Sequence, residues 1–340
     1  MSNRVAVMLV AGAVSTLISL CGCSTTKSQS SETKAAEART VAITDVGDKL
    51  RVEIGGEFFT EYHYKDVARP YLYPIIGPGG VGITRDWPMK ENANDVQDHI
   101  HHKGLWYAHG KVNDVDCWSE QKAFGKTLHE KFMEISSGAK QGVIRSLNKW
   151  VAADGKPLCS DERAIRFYPH SDVRTIDFEI TFIASEGDLT LGDTKEGSMS
   201  IRLPTSMSVK AKGKVAEGHI INSKGDRDVD AWGKRAEWVD YYGPVNGKAV
   251  AVAMMDHPSN PRHPTYWHVR DYGLFSANPY GIHDFTAKTE QKQPAGAGDL
   301  KVAAGQKVTF RYRFLFHTGD EKEGKVAERY KEYAATKTAK

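Results

Sequence analysis

The chain has 340 residues, with 46 Lys or Arg against 43 Asp or Glu, and a formal net charge of +3 with histidine neutral. So small an excess, with no dense basic block, argues against nucleic acid as a partner, which requires a basic patch or stripe. The length suits one large β domain or two smaller ones. After the N-terminal apolar run no segment approaches the ~20 apolar residues of a membrane-crossing helix.

Arg4 precedes an apolar run from Val5 to Leu20, which ends in Leu20-Cys21-Gly22-Cys23. One positive charge, a short apolar core and small residues before a cysteine make a secretory signal rather than a span. Leu-x-Gly-Cys resembles the lipobox of bacterial lipoproteins. That resemblance implies a signal peptide over 1–22, cleavage before Cys23, and a lipid on Cys23 as the membrane anchor. Residues 23–40 then form a tether, because their Ser, Thr, Lys, Glu and Ala cannot bury enough surface to offset ordering entropy. The folded part is expected outside the cytoplasm. Cys117 and Cys159 remain, and both a disulfide and two separate buried thiols are open to them.

Short alternating segments bounded by Gly, Asp, Asn and Pro dominate 41–319, which predicts an all-β fold. Leu50–Ile54 and Glu57–Tyr62 read as a hairpin through Gly55-Gly56. Val143–Val151 and Arg163–Tyr168 read as another through Asp154-Gly155. Arg174–Ile183 alternates Ile176, Phe178, Ile180 and Phe182 with Asp177, Glu179 and Thr181, so one face enters a core and the other stays polar. Lys248–Met255 is apolar almost throughout and reads as central; Lys307–Phe316 is a further strand. Asp320–Thr336 carries Val326, Ala327, Tyr330 and Tyr333 at helical spacing, and predicts one amphipathic helix on the sheet edge. The expectation is a single large antiparallel β-sandwich over 41–319, with 320–340 as C-terminal helix and tail.

The chemistry-bearing residues fall in four regions. Asp98-His-Ile-His-His-Lys-Gly-Leu-Trp106, continuing to His109, and the proline-stiffened Asp256–Asp271 segment hold most of the thirteen histidines. Two histidines one residue apart on a strand share a face and suit a metal ion or proton transfer. The turn at Lys195-Glu196 before Arg202 offers a carboxylate beside basic groups, equally a general base or a solvated salt bridge. Trp238-Val-Asp240-Tyr-Tyr-Gly243 sets aromatic rings beside an aspartate, as a sugar site does and as core packing also does. Neither Gly-x-Ser-x-Gly nor His-Glu-x-x-His occurs, so serine-hydrolase and common zinc-protease readings lack support.

At these residues the chain resembles a bacterial family of extracytoplasmic proteins called PmoA-like. The signature Asp-His-Pro-His-His-Arg/Lys-Gly-Leu-Trp is matched by Asp98–Trp106 with Ile100 at the proline position, and Glu196–Arg202, Trp238–Gly243 and Asp256–Gly281 match as well. A membrane-embedded methane oxygenase subunit would need several apolar helices, absent here after the signal, so the oxygenase name is not carried over. More loosely, His101-His-Lys-Gly104 with Gly110–Trp118, and Ala304-Gly305 through Arg313, are similar to galactose-mutarotase-like proteins. That similarity implies a β-supersandwich with a sugar site where histidines and a glutamate do acid/base work.

The combined expectation is a lipid-anchored, carbohydrate-active enzyme performing hydrolysis, elimination or epimerisation on a sugar or sugar derivative, with or without a bound divalent metal ion. Its catalytic candidates are His101, His102, Glu196, His257, His263, His268 and Asp271. Trp106, His109, Arg202, Trp238, Asp240, Trp267 and Arg270 are the substrate-binding candidates. The alternative is a non-catalytic glycan-binding surface lipoprotein using the same residues.

Overall fold

The computed structural model describes residues 39–337; the signal, most of the tether and Cys23 lie outside them. Strands from Val41 to Thr318 belong to one compact unit. Nine strands form one sheet, in the order Val41–Asp45, Lys49–Ile54, Glu57–His63, Tyr71–Gly77, Leu105–His109, Gly197–Arg202, Leu274–Asn278 and Tyr266–Val269, with Val81–Gly82 pairing to Tyr71–Gly77. Eight form the second: His219–Asn222, Trp238–Val245, Lys248–Asp256, Lys307–Thr318, Arg174–Ile183, Pro157–Phe167, Gly142–Val151 and Lys126–Ser136. Leu189–Leu191 pairs with Leu300–Val302, and the strand pairs are antiparallel. This is the expected large antiparallel sandwich.

The predicted hairpins form for the anticipated reason. Gly55 and Gly56 both take positive φ (60° and 76°), the geometry of a two-residue turn that joins twisted strands, and Ile54 pairs with Glu57. In Arg174–Ile183 the residues Ile176, Phe178, Ile180 and Phe182 are buried in the main core. On the other face Asp177 and Glu179 sit opposite Arg313 and Arg311 and pair with them at 2.6 and 2.7 Å.

The C-terminal helix departs from expectation in length and place. It spans Val326–Ala334, because Gly324 lies against the His317 ring and Lys325 takes φ 50°, so the preceding residues form turns. It packs on the outer face of the eight-stranded sheet rather than on an edge. Val326 and Tyr333 cover Trp238, Ala253, Met255 and Leu315, while Val252, Met254, Phe314 and Phe316 point into the sandwich. Lys248–Asp256 is therefore apolar on both faces because both are covered. Cys117 and Cys159 are separate, buried thiols.

Gly104 closes the histidine stretch and needs its glycine. It has φ 58°, and a Cβ there would lie 2.1 Å from the Leu72 carbonyl oxygen, inside the sheet. Gly104→Ala is expected to cost about 3 kcal/mol, from left-handed strain plus backbone displacement. Denaturant unfolding measures it; an unchanged midpoint would contradict the close approach.

Candidate functional site

Alternation in the nine-stranded sheet sends Leu105, Tyr107, Met199, Ile201, Phe275, Ala277 and Trp267 into the core. Their neighbours emerge on the outer face. Register aligns Tyr71, Trp106, Ser200, Ser276 and His268 in one row across five strands. Two segments that are far apart in sequence thereby deliver a histidine region each to a single surface.

The loop before Leu105–His109 builds one end of this surface. His99, held at φ 43°, stacks parallel between His102 (4.6 Å) and Tyr272 (5.4 Å), and His102 lies over Trp106 at 5.4 Å. Asp98 organises the stack: it contacts His99 Nδ1 at 3.2 Å, accepts from Arg202 Nη2 at 2.8 Å, and pairs with Arg85. Burial acts to raise the Asp98 pKa, but the His99 hydrogen bond and the charges of Arg202 and Arg85 outweigh it and hold the carboxyl well below the usual range. Arg202 Nη1 donates to His102 Nδ1 at 2.9 Å. A guanidinium cannot accept, so the His102 proton resides on Nε2.

Glu196 approaches from a loop pinned at several points. Asn278 Nδ2 donates to the carbonyls of Thr194, Lys195 and Gly197 at 3.0, 2.9 and 3.1 Å. His268 Nδ1 donates to the Lys195 carbonyl at 2.6 Å, and the Lys195 amide donates to Asp284 at 2.8 Å. Gly110 N–H binds the Glu196 carbonyl at 2.7 Å, where a Cβ would fall 2.8 Å from the Glu196 Cβ. Because a carbonyl only accepts, His268 carries its proton on Nδ1, which leaves Nε2 as a base.

These pieces enclose a cleft of about 400 Å³ bounded by His99, His101, Gly110, Asp116, Trp118 and Glu196. Asp116 accepts from the Trp118 and Ser119 amides at 2.7 and 3.1 Å, which fixes the tryptophan rim. A second cleft of about 340 Å³ is lined by Trp232, Arg270, Asp271 and Asp284. The Trp232 ring meets His268 edge-on at 6.3 Å. A larger groove of about 1180 Å³ runs past Tyr64, Tyr71, Ile100, Lys103 and Glu120. Within it Glu120 pairs with Lys103 at 2.6 Å and with Arg69 at 3.4 Å. Among the described residues, no group of three or more His, Cys, Asp or Glu side chains is placed to hold a metal ion.

Of the expected residues, His101, His102, Trp106, Glu196, Arg202 and His268 thus share the outer face of the nine-stranded sheet, with Arg270 and Asp271 in the adjoining cleft. Others lie elsewhere. His257 sits against Tyr333 and Thr336 of the C-terminal segment, and His263 bonds to Asp256 at 2.7 Å beside Tyr330. The Asp256–Asp271 segment crosses from one sheet to the other, so its first half serves the helix-covered face and only its end reaches the cleft. Trp238 and Asp240 emerge on that same covered face, where Asp240 binds His317 at 3.1 Å. Trp267 points inward, its Nε1 donating to the Ala236 carbonyl at 2.9 Å. His109 is fully buried beside Tyr280 and bonded to the Gly192 carbonyl at 2.8 Å. Tyr272 and Asn278 are additions that no sequence motif singled out.

Four buried histidines are neutral at pH 7. Burial pushes His101 to about 3, His109 and His268 to about 4, and His102 well below its ordinary value. Unfolding restores a value near 6.5. The unfolded chain therefore binds more protons between these limits, and stability falls as pH drops from about 6.5 toward 4, by about 1.4 kcal/mol per pH unit for each group. His317 acts in the opposite sense: burial lowers its pKa, but the Asp240 hydrogen bond and charge raise it more. Its stabilisation is complete below the ordinary histidine value and is lost as pH rises through the raised one. Urea unfolding across pH 4–8 is expected to show the steep acid limb, which a flat profile below pH 6 would contradict.

Comparison with solved structures finds remote likenesses. The α-galactosidase from Lactobacillus brevis aligns with TM-score 0.40 and 9% identity over 84% of this chain and 40% of that one. A glycoside hydrolase family 97 enzyme from Pseudoalteromonas sp. strain K8, in complex with panose, aligns with TM-score 0.31 and 10% identity over 82% of this chain and 34% of that one. This chain thus spans well under half the length of either protein. The galactose mutarotase related enzyme from Lactobacillus acidophilus aligns with TM-score 0.30 and 8% identity over 82% of this chain and 97% of that one. No curated protein matches the sequence at a significant level. Residues 49–331 match a family of unknown function, DUF6807, and the chain belongs to that family.

Proposed function

We propose that the protein is a carbohydrate-active enzyme, tethered outside the cytoplasm through Cys23, that acts on a sugar or sugar derivative by proton transfer to Glu196 with hydrogen-bond support from the neutral His101 imidazole. One observation carries this reading: the cleft of about 400 Å³ gathers two carboxylates, two imidazoles and an indole from separate parts of the chain onto one face. A sugar suits that mixture, since its C–H face stacks on the indole while its hydroxyls bond to carboxylate and imidazole. Hydrolysis, elimination and epimerisation each use one group that takes a proton and another that supports the oxygen on which charge develops. Glu196, partly exposed and bridged among the described residues by Lys195 alone, at 2.9 Å, is free to do the first. His101, neutral at pH 7, lines the same cleft and offers its ring N–H to that oxygen as a hydrogen-bond donor rather than as an imidazolium acid. His268 supports the site by fixing the Glu196 loop through its Nδ1 proton. The tether rests on the Leu20–Cys23 lipobox.

The test is incubation of the folded domain with glycans, aryl glycosides and keto-sugars, with and without Zn, Mn, Ca or Ni. Turnover of at least one sugar class supports the reading. Binding without turnover would instead favour the glycan-binding lipoprotein, and neither binding nor turnover would remove both.

A further inference from the structure

Among the described residues, the Arg270 guanidinium has neither an ion-pair nor a hydrogen-bond partner, although its side chain is half-buried. It follows the strand that carries His268 outward, and lies 6.0 Å from the Trp232 ring and 5.2 Å from the Tyr272 ring. Tyr272 stacks on His99, and Trp232 meets His268 edge-on. The guanidinium is thus placed between the two histidine groups and steadied by aromatic rings, with its N–H fork unspent.

The floor of the site carries a matching electrostatic demand. Arg85 and Arg202, both buried, pair with the one carboxylate of Asp98, with Asp95 acting on Arg85 from further off, and Arg202 Nε is buried without a partner. Arg202 and Arg270 both lie against the Tyr272 ring, at 4.9 and 5.2 Å, and an anionic ligand beside that pair of guanidiniums relieves their mutual repulsion. The neighbouring carboxylates do not meet the demand. Glu196 is bridged to Lys195, Asp284 accepts from the Lys195 amide, and Asp271 lines the Arg270 cleft without pairing to the guanidinium. A planar fork with both donors free is the arrangement that binds a carboxylate in two parallel hydrogen bonds.

We propose that the ligand is an acidic sugar, one bearing a carboxylate as a uronic acid does, and that Arg270 clamps that carboxylate in the cleft of about 340 Å³ beside Trp232. This rests on the sugar reading above and sharpens it. The reacting ring then occupies the Glu196–His101 cleft, or the ring next to it does, with Arg270 setting the register.

The experiment is calorimetric titration of the wild-type domain and of Arg270→Gln and Arg270→Lys with D-glucuronate, D-galacturonate and their oligomers. Glucuronamide and the matched neutral sugars serve as comparison. The expected result is at least tenfold tighter binding of the uronates, weakened by salt, and at least a tenfold loss in Arg270→Gln confined to them. Arg270→Lys should lie between, because it keeps the charge but not the fork. Unfolding midpoints confirm that both variants are folded. Equal affinity for neutral sugars, or uronate binding untouched by Arg270→Gln, would overturn the clamp while leaving the sugar reading in place. Failure of every acidic and neutral sugar to bind would overturn both.

Discussion

Replacing Asp98 by asparagine is expected to destabilise the fold by about 3 kcal/mol, because it strands two guanidiniums whose side chains are only 0% and 2% exposed. The amide keeps the shape of the carboxylate but not its charge, and its Nδ2 presents donors to groups that have only donors themselves. Asp98 is itself partly exposed, which places the cost at the lower end for a broken buried pair. The effect has a pH signature. The Asp98 pKa is held low, so its contribution is complete above the ordinary carboxylate value and is lost as pH falls through the folded one. The gap between wild type and variant should therefore narrow below about pH 4. Asp172→Asn, which breaks the exposed pair with Arg329, supplies the contrast and should cost under about 1 kcal/mol. Equal costs for the two variants would mean that the buried triad has no special weight. The same change also frees the His99–His102 stack, since Asp98 holds both His99 and the arginine that sets the His102 tautomer.

The strands were legible because alternation is local: Arg174–Ile183 announces its two faces without reference to any partner. Which outer face a polar strand residue reaches is not local. Trp238 and Asp240 have the pattern of a binding strand, yet their sheet is the one the C-terminal helix covers, and only pairing order reveals that. The Asp256–Asp271 segment reads as one histidine-rich loop, but a crossover splits it, sending His263 to the helix and His268 beneath the Glu196 loop. Register also hides the row from Tyr71 to His268, since five strands must align before it exists. Asn278 lies inside the matched Asp256–Gly281 segment, but nothing in that match marks it out from its neighbours. Its work is to bind carbonyls about eighty residues earlier in the chain, contacts that no spacing in the sequence encodes. What the motif around Asp98–Trp106 did convey was density of chemistry, and that density survives in the Tyr272–His99–His102–Trp106 stack.

Glu196→Gln is the substitution that separates chemistry from packing at this site. Glu196 is 41% exposed and its one ion pair is to a similarly exposed lysine, so stability should change by less than about 1 kcal/mol. Under the proposed chemistry the carboxylate is the proton-transfer group, and removing it should lower kcat by about 10²–10⁴-fold with KM changed only slightly. His101→Ala should also cost rate, because its imidazole lines the same cleft. Asn278→Leu offers a different pattern. Releasing the Thr194, Lys195 and Gly197 carbonyls lets the loop drift, so kcat falls while the unfolding midpoint also drops, whereas Glu196→Gln leaves that midpoint in place. A glycan-binding protein would behave otherwise: Glu196→Gln and His101→Ala would weaken affinity, and there would be no rate to lose. Full retention of turnover in Glu196→Gln would move the acid/base role away from this carboxylate and leave it only a contact to the sugar.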